Sequence, residues 1–239
     1  MDYKYELHCH SSDCSACARA NSVEMVHRYK AAGYAGFVLT DHFIFGNSAV
    51  DKNLPWEQKM RCYYDAYLKA KNEGEKLDFD VLFGLEHAYG HGKEFLCYGI
   101  DLDFLLNNPD VPNISVDEFV RRVHLAGGLV IQAHPYRECG YIDSSVLPRV
   151  DLIDGVEVYN ARNKPNENIS ALELLKKING IAVSGSDFHG RSDEAANRAG
   201  IACDRRIKNS TDLIDVLRGG NYKLIVNTQI VDNIEEKIF

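Results

Sequence analysis

Short apolar runs rich in Val, Ile and Tyr alternate with longer stretches of helical period almost from one end of this 239-residue chain to the other. That alternation restricts the fold more than any other feature. It argues for βαβ units, in which each helix carries the chain back to lay the next strand beside the last, and so for a mostly parallel sheet in an α/β protein. Strands are expected at residues 4–10, 36–42, 80–87, 129–135, 155–160, 181–189, 199–204 and 223–227. The run at 94–101 follows 80–87 after a Gly-rich turn too short for a crossover helix, so these two either pair antiparallel or mark a local irregularity. Helix starts are legible at Asn21 with Glu24 three residues on, at Pro55, and at Ser115 with Glu118. Further helices are expected over about 168–179 and 211–217. There is no internal repeat or linker, and the length suits one (β/α) barrel, so a single domain over 1–239 is expected.

Composition narrows the function classes. Lys plus Arg number 27 against 35 Asp plus Glu, a formal charge of −8, so the phosphate-backbone attraction of an extended nucleic-acid groove is not expected. No apolar run approaches about 18 residues, and the N-terminal segment lacks a basic leader with an apolar stretch, so a soluble, cytoplasmic protein without membrane contact is expected. Seven cysteines at 9, 14, 17, 62, 97, 139 and 203 form an odd, irregular set; they are read as reduced, and the lone Cys14-x-x-Cys17 supports neither a zinc ribbon nor a thioredoxin-like site. Cys9 alternates to the opposite face from its histidine neighbours and is expected to pack against helices.

The histidines are clustered by position. His8 and His10 end the first strand, Asp41-His42 the second and Glu86-His87 the third; His134 and Asp187-x-His189 end later ones. Side chains at the C-terminal ends of barrel strands converge on one mouth. His8 and His10 share a face roughly 6.6 Å apart, within reach of one metal ion. Glu6, on the same face and deeper, is placed to orient a ligand imidazole. Mixed imidazole and carboxylate donors suit Zn, Mn or Fe, and so many converging carboxylates imply cations.

His8-Cys9-His10, Thr40-Asp41-His42, Gly84-Leu85-Glu86, Ala133-His134-Pro135 and Ser186-Asp187-Phe188-His189 resemble, in order, the motifs of the PHP (polymerase and histidinol phosphatase) superfamily, over residues 4 to 228. The resemblance implies a distorted (β/α)7 barrel and a centre of two or three divalent transition metals. One metal would take His8, His10, Glu86 and Asp187; Glu86 would bridge to a second that also takes His134; His42 and His189 would hold the third. Two family ligands lack an identical match. Asp13 and Glu94 stand as their candidates, which would make ligation richer in oxygen and tilt preference towards Mn or Fe. His27 and His124 fall inside helices, His87 alternates away from Glu86, and His91 sits in a Gly-flanked turn near the mouth.

The implied activity is hydrolysis of a small phosphate ester, with Asp187 and His189 as catalytic residues. Arg19, Arg137 and Arg162, and more distantly Arg198, are the candidates to bind the substrate phosphate, for which a planar guanidinium is suited. Asn160, beside Tyr159, is a candidate to orient substrate. Histidinol phosphate is disfavoured, because Cys14 is followed by Ser15 and Ala16 where a Cys-x-His arrangement is expected. Two alternatives are an amidohydrolase-type reaction on a C–N or C–O bond, which would call for a carboxylated lysine at a strand end, and a non-catalytic metal-binding module.

Overall fold

The computed structural model describes residues 1, 3–191 and 195–232. In chain order the elements are β1 (Tyr3–Cys9), α1 (Ser22–Ala31), β2 (Gly36–Leu39), α2 (Trp56–Lys76), β3 (Asp80–Gly90), β4 (Lys93–Tyr98), α3 (Leu102–Leu106), α4 (Val116–Leu125), β5 (Leu129–Gln132), β6 (Gly155–Asn160), α5 (Pro165–Ile178), β7 (Ile181–Gly185), β8 (Ala199–Cys203), α6 (Ser210–Gly219), β9 (Lys223–Val226) and β10 (Gln229–Val231). The helix signals read from the sequence are used: Asn21 and Glu24 form a reciprocal capping box on α1, and the Ser115 side chain caps α4 through the Glu118 amide. Pro55 sits one residue earlier than its expected first-turn place, as the N-cap of α2.

The strands form one curled sheet in the order β10-β9-β8-β1-β2-β3-β4-β5-β6-β7. β1, β2 and β3 run parallel, as do β5, β6 and β7, while β4 is antiparallel to both its neighbours. The α/β class is borne out, but the distorted (β/α)7 barrel is not. Ten strands are present among the described residues, β4 is reversed because the two-residue connection His91–Gly92 can only turn the chain back on itself, and β8 and β9 pair antiparallel beyond β1. The far end of the sheet curls back to its middle, where Cys9 and Phe188 form a parallel bridge and the Asp187 amide donates to the His8 carbonyl at 2.9 Å.

Both sheet faces are apolar, which is why the strands read as near-continuous hydrophobic runs. Alternate residues split between two clusters: Val38, Leu82 and Leu96 enter one, and Phe37, Phe83 and Phe95 enter the other beneath α1, α2 and α4. This geometry also fixes the site. The C-terminal ends of β1, β2, β3, β5, β6 and β7 share one edge, and the reversed β4 brings its second residue, Glu94, to that same edge, opposite Ala88.

Candidate metal centre

Eight of the nine side chains expected to ligate metal meet at that edge. His8 Nε2 lies 3.1 Å from Glu86 Oε1, which is also 3.1 Å from His134 Nε2, and His10 Nε2 lies 3.3 Å from Asp187 Oδ1. His42 Nδ1 is 2.7 Å from Glu86 Oε2 and 3.5 Å from Glu94 Oε1. Four overlapping triads place their donor atoms within 4.8 Å of one another: His8–His10–Asp187, His8–Glu86–His134, His42–Glu86–Glu94 and His10–His42–His189. All eight residues are buried. They form the floor of an open cleft of about 850 Å³, to which Glu86, Glu94, His42, His134, Asp187 and His189 are directly exposed.

The local backbone is shaped to this end. His134 and Asp187 both adopt positive φ, 23° and 53°, a conformation costly for non-glycine residues and found mainly where function demands it. Gly185 is needed for a different reason: a Cβ there would collide with Glu157 Oε1 and the His8 Cβ.

The orienting groups fix which imidazole nitrogen faces the cluster. Glu157 Oε1 accepts from His8 Nδ1 at 2.8 Å. Ser15 Oγ, whose hydroxyl donates to Asp41 Oδ1 at 2.7 Å, is left to accept from His10 Nδ1 at 3.2 Å. Both rings therefore present Nε2 lone pairs, 3.1 Å apart, towards one another and towards carboxylate oxygens. Acceptors facing acceptors in a buried site call for a cation. His42 Nδ1 and Glu86 Oε2 add to this, since both are buried without an aligned hydrogen-bond partner despite their 2.7 Å separation. The donor set fits divalent metal ions.

Charge is strongly redistributed among these groups. Burial disfavours the Asp187 carboxylate, but Arg137 and His8 more than offset it and hold its pKa well below the usual range. At His8 burial is likewise overcome, by Glu157, Glu86 and Asp187, and the pKa rises, whereas at His10 burial together with His42 and His189 lowers it.

Several expectations are corrected. Asp13 is outside the cluster: its Oδ2 accepts from the Ser22 amide at 2.7 Å and its Oδ1 lies 3.5 Å from Lys69, so it anchors the start of α1. Glu6 does not orient an imidazole. It accepts from the Leu7, His8 and Ser186 amides and from Tyr29, tying β1 to the turn after β7. Arg19 is exposed and does not line the cleft; its guanidinium donates to the Ala18 carbonyl, and its amide donates to His189 O. Arg198 is likewise absent from the lining. Arg137 and Arg162 do line it. The Arg137 Nη1 donates to Asp187 Oδ2 at 2.7 Å, and Arg162 Nη1 lies 2.7 Å from His189 Nδ1. Asn160 is fully buried and holds Arg137 and Glu157 in place.

Among the remaining histidines, His27 pairs with Glu73 and His124 with Asp154 on helix surfaces, as their positions suggested. His87 does point away from the Glu86 face, where it stacks on Phe119 at 3.9 Å, but it also borders the cleft. Burial lowers its pKa to about 3 and keeps it neutral. His91 lies at the cleft rim with positive φ.

Three contributors escaped the sequence reading. Glu157 was findable, since a carboxylate between Val156 and Val158 in an apolar strand must be buried and paired. Ser15 and Cys17 carry no such signal, as both belong to an irregular loop. Cys17 Sγ lies 3.1 Å from His189 Nε2 at the cleft wall. Burial raises its pKa, but His189 and His42 outweigh it and bring the thiol down to about 6. All seven cysteines are free thiols.

Fold and site together define an α/β protein built around a buried His/Asp/Glu centre with the donor chemistry of a metal site. Among solved structures, the chain is similar to a candidate metal-dependent phosphoesterase from Bifidobacterium adolescentis, at 15% identity over 90% of this chain and 95% of that one, with a TM-score of 0.56. It is also similar to a two-domain protein from Bacteroides vulgatus containing a predicted PHP-like metal-dependent phosphoesterase, at 13% identity over 98% of this chain and 67% of that one, with a TM-score of 0.68. A third similar structure is PfuEndoQ, a lesion-specific endonuclease from Pyrococcus furiosus, at 13% identity over 95% of this chain and 58% of that one, with a TM-score of 0.62. No protein-family model and no curated protein matches the chain. The chain shares the fold of these structures.

Proposed function

We propose that the protein is a phosphoesterase dependent on two or three divalent transition metals, Mn, Fe or Zn, acting on a phosphate ester of a small organic molecule. The observation that carries this reading is the set of eight buried His, Glu and Asp side chains whose lone pairs converge at the floor of a cleft with two arginines. His8, His10, Glu86, Glu94, His134 and Asp187 would hold the inner ions, and His42 and His189 an outer one. When bound, such ions supply a water acidified towards neutrality and a positive clamp for phosphoryl oxygens.

The protein's own residues prepare that chemistry. Glu157 and Ser15 hold the His8 and His10 rings with Nε2 inward. Arg137 holds the Asp187 carboxylate ionised and restrained, while Asn160 and Asn163 hold the guanidinium flat. Arg162, beside His189, is the arginine placed to meet a substrate phosphoryl oxygen. The amidohydrolase-type reading is less well supported, because Glu86 would take the bridging role and no lysine lines the cleft among the described residues.

Among the described residues no helix is long and apolar enough to cross a membrane. The formal charge of −8 favours a small ester over a polynucleotide, while the likeness to an endonuclease makes DNA the comparison substrate of choice. The test is metal analysis of the purified protein, followed by a phosphate-release screen with Mn²⁺ or Fe²⁺ on small phosphomonoesters and a parallel assay on a DNA duplex. Release from a small ester by the native chain, abolished in Asp187→Ala, is expected. Absence of bound transition metal, or equal release by the variant, would remove the reading; cleavage of DNA alone would replace its substrate.

A further inference from the structure

The outermost triad, His10–His42–His189, has no carboxylate among its donors, and Asp13, a candidate ligand in the sequence, lies outside the cluster. The side chain that stands there is Cys17. Its loop is pinned at several points: the Ala16 amide donates to Asn47 O, the Ala18 amide to Ser15 O and the Arg19 amide to His189 O. The loop is thereby fixed both to the segment after β2, which carries His42, and to the segment after β7, which carries His189. Cys17 Sγ is consequently held 3.1 Å from His189 Nε2. The other nitrogen, Nδ1, is 2.7 Å from both Asp187 O and Arg162 Nη1, and Nε2 is the nitrogen that faces the thiol.

We propose that Cys17 is a metal ligand, its thiolate joining His42 and His189 in a site for a thiophilic divalent cation at the outer end of the centre. This rests on the metal-centre reading above and deepens it. Three imidazoles packed at ring-centroid distances of 4.4, 4.5 and 6.1 Å, two of them beside a thiol, form a nitrogen-rich pocket with one soft anionic donor. His42 is 9% exposed; its Nδ1 is turned to Glu86 and Glu94, and the ring also lies within hydrogen-bonding reach of the Cys17 thiol. In a tetrahedral zinc site with bonds of about 2.0–2.3 Å, sulfur and nitrogen ligands lie roughly 3.5 Å apart, so the observed 3.1 Å needs only a few tenths of an ångström of opening. On binding, the Sγ–H bond breaks, its proton passes to solvent, and the sulfur lone pair forms the metal bond.

The other cysteines lack this placement. Cys9, Cys14, Cys97 and Cys203 are buried, Cys62 and Cys139 are exposed, and Cys17 is the cysteine that lines the cleft. A thiolate in the outer site reverses part of the preference expected from the sequence. It favours Zn²⁺, Fe²⁺ or Co²⁺ there, while the carboxylate-rich inner positions keep their affinity for harder ions.

The experiment is reconstitution of the metal-depleted full chain with Co²⁺, read by absorption spectroscopy. A near-ultraviolet thiolate-to-cobalt charge-transfer band is expected in the native chain and in the double variant Cys62→Ser, Cys139→Ser, and is expected to vanish in Cys17→Ser. A second measurement needs no variant: alkylation of the native chain by iodoacetamide with peptide mapping, in which Zn²⁺ should slow modification of Cys17 by about tenfold or more and leave Cys62 and Cys139 unchanged. Cobalt bound without the band, a band that survives Cys17→Ser, or metal-independent alkylation of Cys17 would overturn the proposal while leaving the metal centre standing. Failure to bind any cobalt or zinc would overturn both.

Discussion

Replacing Glu157 by Gln asks whether the orientation of the His8 ring is what readies the centre for a cation. Glu157 accepts from three donors: His8 Nδ1 at 2.8 Å on Oε1, and the His134 amide and Asn160 Nδ2, each at 2.9 Å, on Oε2. A carboxylate satisfies all three, but an amide cannot, because one of its ends is itself a donor. If the Gln oxygen faces His134 and Asn160, its NH₂ meets His8 Nδ1. The ring must then carry its proton on Nε2, where it points at Glu86 and blocks ligation. If the amide flips, the His134 and Asn160 donors lose their acceptor, and Asn160 cannot turn to compensate, since its Oδ1 accepts from Arg137 and from the Arg162 amide. Partners that orient ligand histidines are worth about 10–100-fold in metal affinity, or roughly 1.4–2.7 kcal/mol. Competition with a chromophoric chelator for Zn²⁺ or Mn²⁺, on variant protein of matched circular dichroism, measures it. An affinity within about twofold of the native chain would refute the tautomer argument.

Chelation should destabilise the protein: metal at a hundred times its Kd contributes about 2.7 kcal/mol, and at this length each kcal/mol moves Tm by about 2–4 °C, so a drop of roughly 5–10 °C on adding excess chelator is expected by scanning calorimetry. Gly185→Ala should force Glu157 and His8 apart, lowering the urea midpoint by the equivalent of about 1–3 kcal/mol and reducing bound metal; unchanged metal content would show that the pair tolerates a methyl group. Asp13→Ala should cost about 1 kcal/mol through the lost Ser22 contact and leave the metal count intact; a missing metal equivalent would restore Asp13 as a ligand.

Periodicity and motif order made much of the fold and site legible. The alternation of strands and helices, the capping pairs Asn21/Glu24 and Ser115/Glu118, and the strand-end positions of His8, His10, His42, Glu86, His134, Asp187 and His189 all follow from local rules, and the structure brings those residues together. Glu94 joins His42 and Glu86 although its strand runs backwards, because a tight hairpin returns the chain to the edge it has just left. What local rules could not supply was the path of the loop at residues 11–20. Its course is set by long-range bonds from Ser15 to Asp41 and from Ala16 to Asn47, which no spacing in the sequence encodes, and those bonds turn Asp13 away from the cluster and bring Cys17 to its edge. Arg19 failed similarly: its backbone is held beside His189 while its side chain leaves towards solvent.

The β3–β4 hairpin separates two properties that are usually entangled. Glu86 and Glu94 are set by the paired ladder below its tip, whereas Tyr89, Gly90, His91 and Gly92 form the tip and overhang the cleft. Because side-chain direction along a strand repeats every two residues, the hairpin could grow or shrink in whole pleats without turning either carboxylate away. Rim height can therefore diverge among related chains, or be redesigned, while the floor stays constant. Grafting longer or shorter tips onto this ladder offers a direct way to change which molecules fit the cleft without altering how it holds its cations.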